Sequence, residues 1–386
     1  MAELTPSPTP ASPEPAASEV EGVTPAPPSA MPQASPQQVQ QHQEQNQDQT
    51  DTQTPQQPPP APVEVDDEDD PESAFGDDDA SRASTSLASV RSAYEWKHGR
   101  RYHGYRSGKY SFPNDEDEQD RLDMIHRVFY LVMYDRLYIA PIDTRGLSVL
   151  DIGTGTGIWP IQFGDEHPEA ELIVGNDLSA IQPEWVPNNV RFVVDDVELE
   201  WIEPQKYDYI HCRYMAGSIK DWPRLVSQVY DNLKPGGWFE FQESANTLYS
   251  EDDTLKPDDP MVQMMDGLME ACELIGRTMD PAPSMKQWVQ EAGFENVSEE
   301  KFKLPIGSWP KDPRYKEIGS PMKVNFLEGV EAFTAALFKD VLGWTREEVI
   351  VLNAGVRAAV RNNDVHPMFD FIVVIGQKPM TDREED

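Results

Sequence analysis

The stretch LSVLDIGTGTGIWPIQF, residues 147–163, decides the fold. It opens as an apolar run and passes into three glycines at alternate positions, Gly153, Gly155 and Gly157. A short apolar run bounded by a glycine turn reads as a buried strand. Glycine lets the chain turn tightly and brings its backbone close to a ligand. A helix opening directly after such a loop offers unpaired N–H groups. The pattern therefore predicts a strand over 147–153, a ligand-holding loop, and a short helix over 157–167. Glycine loops of this sort also serve dinucleotides, but that class uses GxGxxG, which would need a glycine at 158. The residue there is Ile158, and the spacing is GxGxG. The acid before the loop, Asp151, suits a cationic amino group better than a pyrophosphate.

Outward from the loop, strands and helices alternate. ELIVGND (171–177), VRFVVDD (190–196) and YDYIHCR (207–213) read as further buried strands, and 221–233 as a helix. The turn Lys234-Pro235-Gly236-Gly237 introduces a fifth strand, GGWFEFQE (236–243). Downstream come a Met-rich amphipathic helix over 260–278, a helix over 285–294, strands over 294–307 and 369–379, and helices over 323–342 and 345–361. Upstream, 115–140 reads as a helix capped by Asn114 and stopped by Pro141. The expected class is α/β, a doubly wound, seven-stranded, mostly parallel sheet. A helical cap (about 245–285 and 310–366) is expected within a domain spanning 147–386. Residues 89–146 form an N-terminal lid segment and helix, and 1–88 a disordered Pro/Gln/acidic tail.

Composition bounds the function. Hydrophobic residues make up 38% of the 386-residue chain, below the usual 45–50%, and the deficit lies in the tail. The net charge is −37. The first ninety residues hold 17 acids against one base, Arg82. Holding nucleic acid by its phosphates needs clustered cations, so no direct nucleic-acid partner is expected. Two cysteines, Cys212 and Cys272, suit a reducing compartment. No stretch approaches 18 uncharged apolar residues, and the start lacks the pattern of a signal peptide. A cytoplasmic or nuclear protein with no membrane partner is expected.

Two acids extend the loop into a site. Asp177 ends the second strand, where a carboxylate can accept from both ribose hydroxyls. Asp195-Asp196-Val197 ends the third. An acid there can accept from an adenine amino group while a backbone N–H meets a ring nitrogen. Glycine loop, ribose acid and adenine acid thus fall at successive strand C-ends, where open α/β sheets bind ligands.

On these residues the chain resembles the class I S-adenosylmethionine-dependent methyltransferases. More narrowly it resembles the LaeA-like (UMTA-type) fungal members. The matching stretches are GRRYHGYRSGKYSFPNDEDEQDRLDMIH (99–126), LDIGTGTGIWPIQFGDEHPEAELIVGNDLSAIQPEWVPNNVRFVVDDVELEW (150–201), YDYIHCRYMAGSIKDWPRL (207–225) and LKPGGWFEFQE (233–243). The resemblance covers about residues 90–380. Asn176 departs from it, standing where hydrophobic residues are usual. The resemblance implies that Asp151, Gly153, Gly155, Gly157, Asp177, Asp196 and Val197 hold S-adenosylmethionine. It also implies that 99–110 folds over it. Arg106 is assigned the methionine carboxylate, since a guanidinium suits a bidentate pair.

The expected chemistry is transfer of a methyl group to a small-molecule acceptor of secondary metabolism. The competing reading is a nuclear regulator of the LaeA kind acting through protein partners or protein methylation, with the tail as the contact region. His211, at the end of the fourth strand, is the candidate general base. Glu243 either orients an acceptor or caps the sheet, and Cys212 reads as packing. The acceptor pocket is expected from Met261, Met264, Met265, Met269, Trp309, Phe326 and Phe333. The tail lacks apolar side chains to dock. Deleting residues 1–88 should therefore leave both the melting temperature and the S-adenosylmethionine affinity unchanged, and a clear drop in melting temperature would place the domain boundary earlier.

Overall fold

The computed structural model describes residues 94–202 and 204–380, so the tail assigned to 1–88 lies outside the described residues. A hairpin comes first, β1 (Glu95–Lys97) against β2 (Arg100–Tyr102). His98 and Gly99 form its two-residue turn with φ of 52° and 81°, the left-handed pair that matches strand twist. α1 (Glu116–Val132) follows.

Asp115, not Asn114, caps α1, its carboxylate accepting from Glu118 N–H at 3.1 Å. Arg100 then grips the same carboxylate with two bonds of 2.5 and 2.7 Å. Arg101 donates to the side chain and carbonyl of Asn114. The basic residues of the hairpin thus meet the acidic start of a helix, where negative charge also suits the helix dipole. The helix ends at Val132, eight residues short of the expected 140. Tyr134 and Asp135 take φ of 62° and 56°, and the buried Glu240 carboxylate accepts from the N–H groups of Ile139 and Ala140. Leu137 and Ala140 are as buried as helical residues would be, so apolar periodicity continues through an irregular segment.

The alternation then runs β3 (Ser148–Ile152), α2 (Ile158–Glu166), β4 (Leu172–Asp177), β5 (Val190–Val194), β6 (Tyr207–Arg213), α3 (Trp222–Asn232) and β7 (Leu233–Tyr249). After it come α4 (Pro260–Leu274), α5 (Ala282–Glu291), β8 (Glu295–Pro305), α6 (Pro313–Thr334), a π-helical turn (Leu337–Val341), α7 (Arg346–Arg361) and β9 (Met368–Gln377). Seven strands form one sheet in the order β5-β4-β3-β6-β7-β9-β8. All neighbours are parallel except β9, which runs antiparallel to β7 and β8. Expected and observed sheets agree in strand number and sense.

Side chains alternate across the sheet, as the strand repeat requires. Val149, Ile173, Tyr209 and Val373 enter one buried cluster, and Leu150, Val174, Ile210 and Val374 enter the other. Parallel strands covered on both faces read as continuous apolar runs, which is why they were legible. Helices α4, α6, α7 and the π-helical turn pack on one another, and α6 also packs on α1. The chain leaves β3 towards β4 on one side and finds β6 on the other, so a crevice opens at their C-terminal ends. Among the described residues no helix is long and apolar enough to cross a membrane.

Because Asp115 is both cap and ion-pair partner, Asp115→Ala should cost more than the ~1 kcal/mol of an ordinary cap. Urea unfolding should show a lower midpoint at unchanged slope. A midpoint equal to wild type would mean that neither contact bears on stability.

Candidate functional site

The loop after β3 is tied down from below and from the side. Asp151 is 3% exposed. One of its oxygens accepts from His211 Nδ1 at 2.7 Å and the other from the Thr154 hydroxyl at 2.6 Å. Asn176 accepts from Gly153 N–H at 3.3 Å through its side chain and from Thr154 N–H at 2.9 Å through its carbonyl. The polar residue that departs from the usual sequence is thus a second anchor for the loop. Asp177 accepts from Gly155 N–H at 2.9 Å and from Ser179 N–H at 2.8 Å.

At two of the glycines an added Cβ would also meet a neighbouring side chain, an aromatic ring at Gly157 and the flexible end of a methionine at Gly153. At Gly157, with φ of 82°, a Cβ would stand 2.4 Å from the Phe192 ring, and at Gly153, with φ of 66°, 2.1 Å from Met215 Sδ. At Gly155, with φ of 58°, the nearest atom would be Leu122 Cδ1 at 3.8 Å. That is open room on the side of the loop where a ligand would lie.

The crevice is a cleft with about 1140 Å³ of empty volume, its open mouth included. The loop, Asp177 and the Asp196-Val197 pair all line it, with Tyr110, Asn114 and Arg213. Asp196 is 4% exposed. Its Oδ1 accepts from Glu198 N–H at 3.0 Å, while its buried Oδ2 has no hydrogen-bond partner. The nearest cation to that oxygen is Arg106, 3.4 Å away. Burial pushes Asp177 up to about 6, against the pull of the Gly155 and Ser179 N–H groups.

Two of the expected site residues stand away from the cleft lining. Arg106 pairs with Asp196 and does not line the cleft. The cation at the floor is Arg213, which ends β6. It donates to His126 Nδ1 at 2.7 Å, and no carboxylate lies within 4.0 Å of it among the ion pairs of the described residues. Burial lowers it to about 10, so it remains a cation at neutral pH. The sequence carried no signal for Arg213 beyond its place at a strand end beside His211. His211 itself is fully buried, lies flat on Trp159 at 3.9 Å, and lines neither the cleft nor the cavity beside it. Its place is beneath Asp151. Glu243 is likewise buried and accepts from Met215, Ala216 and Ser244 N–H groups, so it caps backbone. Burial pushes it up to about 8.

Tyr110 and Tyr214 also line a second, open cavity with about 630 Å³ of empty volume, its mouth included. Of the expected acceptor lining, Met265, Phe326 and Phe333 are there. Met261 and Met264 are core, and Trp309 packs on His366. Among the described residues no cluster of His, Cys, Asp and Glu could hold a metal ion.

A family model described as a methyltransferase domain matches residues 124–299. The chain is 65% identical to methyltransferase pytC of Aspergillus terreus over 301 residues, 78% of this chain and 93% of that one. It is 32% identical over 299 residues to the protein-methionine methyltransferase laeA of Emericella nidulans, covering 76% of this chain and 78% of the relative. A solved Haemonchus contortus phosphoethanolamine N-methyltransferase 2, with S-adenosylhomocysteine, aligns at a TM-score of 0.38 and 22% identity, over 67% of this chain and 52% of that chain.

The glycines make a paired prediction. Gly157→Ala should lower the melting temperature clearly, because overpacking against a ring costs about 1–3 kcal/mol on top of the strained φ. Gly155→Ala should lower it less and yet lose ligand affinity. Unchanged ligand affinity in Gly155→Ala would show that the room at Gly155 is not the ligand's.

Proposed function

Since the chain belongs to the LaeA-like methyltransferase family, we propose that the cleft holds S-adenosylmethionine and that the acceptor is a small molecule. The carrying observation is the order of unsatisfied groups along one trough. A buried carboxylate oxygen without a hydrogen bond, Asp196 Oδ2, with only the looser ion pair to Arg106 at 3.4 Å, stands at one place, and a cation without a carboxylate, Arg213, at another. Both border the glycine loop. A nucleoside bearing an amino acid supplies the missing partners, an amino group for the first and a carboxylate for the second. The residues therefore fit the group.

In this reading Asp196 accepts from the adenine amino group and Asp177 from the ribose hydroxyls. The open side of Gly155 admits the nucleoside, and Arg213 takes the carboxylate. Asp151, already engaged by His211 and Thr154, holds the loop and offers negative charge to the ligand's ammonium. When bound, S-adenosylmethionine supplies a methyl group on a sulfonium. An acceptor held against that methyl group would take it by displacement at carbon, with sulfur as the leaving atom. Holding the two reactants in line accounts for most of such catalysis.

No side chain in the second cavity is free to act as base. Its only carboxylate, Glu118, is bound by Arg121. Burial raises the Tyr110 and Tyr214 phenols above their ordinary range, so both are protonated at neutral pH. The acceptor's proton accordingly leaves to water.

Similarity to the protein-methionine methyltransferase favours a second reading, in which the acceptor is a protein side chain. Labelled methyl donor in native extract separates the two, since label enters small molecules in the first case and protein in the second.

Arg213→Gln should weaken S-adenosylmethionine binding by about 1.5–3 kcal/mol, the range for hydrogen bonds to charged groups, while Arg106→Gln should not weaken it. The reverse order in calorimetry would restore the carboxylate to Arg106. A hydroxyl donates best to an ionised carboxylate, so affinity should be full above the Asp177 value and fall as the pH drops through about 6. In Asp177→Asn that step should vanish.

A further inference from the structure

The second cavity carries charges that cancel. Arg121 and Glu118 are 3% and 2% exposed and face each other at 2.6 and 2.9 Å. Arg121 Nη1 also donates to Asn325 Oδ1 at 2.6 Å and to the Tyr214 hydroxyl at 3.3 Å. Phe333 covers the guanidinium, 5.1 Å from ring centre to Cζ. They are the only ionised side chains among the lining residues. An ion pair out of water repays its desolvation only when both partners are kept, so this one is closed on itself. A second charge in the cavity would compete for Arg121 or Glu118 and leave the other member buried without a partner.

Two of the remaining polar groups of the cavity can donate, while Asn246 already spends its amide nitrogen on the Met279 carbonyl at 2.6 Å. Ser244 is 3% exposed and its hydroxyl has no hydrogen-bond partner. A guanidinium only donates, so the bond from Arg121 fixes Asn325 Oδ1 towards it and leaves Asn325 Nδ2 on the other side. That amide nitrogen, in a residue 1% exposed, meets only the Met322 thioether at 3.8 Å. The rest of the wall includes Phe112, Met265, Phe326 and Phe369. Buried donors without partners cost free energy until a ligand satisfies them.

We propose that this cavity, opening beside the cleft at Tyr110 and Tyr214, is the acceptor site, and that it selects an uncharged, largely apolar molecule carrying a carbonyl oxygen for Ser244 and Asn325. The inference rests on the methyltransferase reading above. The donors hold the oxygen, the aromatic and thioether walls hold the body, and the closed ion pair rejects acids and amines.

Three probes of one size test it, with the full-length protein saturated in S-adenosylhomocysteine. They are 2-acetylnaphthalene, 2-naphthoate and 2-naphthylmethylammonium, followed by tryptophan fluorescence and calorimetry. The ketone should bind at least about tenfold tighter than either ion. Ser244→Ala should weaken the ketone about tenfold without changing S-adenosylhomocysteine affinity. Glu118→Gln removes the charge that closes the pair, so in a folded variant naphthoate should gain and overtake the ketone. Anion or cation binding as tightly as the ketone in wild type, or a Ser244→Ala variant that binds the ketone normally, overturns the proposal whether or not Glu118→Gln folds. A protein that fails to bind S-adenosylhomocysteine at the outset overturns the cofactor reading instead.

Discussion

Asp151 is the constraint on which the site depends. It ends an apolar strand in the middle of the sheet, a place where an ionised side chain survives only if hydrogen bonds replace water. His211 from the neighbouring strand and Thr154 from the loop supply them, at 2.7 and 2.6 Å. The imidazole is fixed in turn by stacking on Trp159, with ring centres 3.9 Å apart and planes inclined by 6°. One buried carboxylate thereby joins β3, β6, the loop and the first turn of α2. The left-handed glycines are held in place rather than merely permitted. Asn176 and Asp177 close the loop from the β4 side.

The same economy governs the cations. The segment before α1 is basic and aromatic in an acidic chain, which invites assignment of its arginines to an anionic ligand. Arg100 and Arg101 are instead engaged by Asp115, Asn114 and Glu116 at the start of α1, and Arg106 by Asp196. Of that segment Lys109 and Tyr110 reach the cleft. Besides Lys109, the cleft cation without a carboxylate among the ion pairs of the described residues stands on the sheet, at Arg213. A group built on a strand is placed more rigidly than one on a loop, as positioning a substrate requires.

The fold was legible where apolar runs and glycine turns coincide, from Ser148 to Gln242, because a sheet buried on both faces imposes its pattern on the sequence locally. The cleft acids Asp177 and Asp196 were legible for the same reason, since they stand at strand ends that the runs mark. Partner choice was not legible. The spacing of Arg106 and Arg213 says nothing about which meets a carboxylate across the chain, and His211 reads as a base until Trp159 and Asp151 are seen to enclose it. The extent of α1 misled for a related reason. Leu137 and Ala140 keep the apolar rhythm, but the left-handed turn at Tyr134 and Asp135 ends the helix, and the Glu240 carboxylate, about a hundred residues away, holds the backbone that follows. The ion pair of Glu118 and Arg121 is a one-turn spacing that could have been noted, whereas its burial depends on Phe333 and Asn325 from α6.

The measurement that bears most directly on the account is a crystal structure with S-adenosylhomocysteine bound. The account predicts the adenine amino group on Asp196, the ribose on Asp177, and the carboxylate on Arg213, with Arg106 turned away and the thioether sulfur facing the second cavity past Tyr110 and Tyr214. A ligand carboxylate on Arg106, or a sulfur facing away from that cavity, would contradict it.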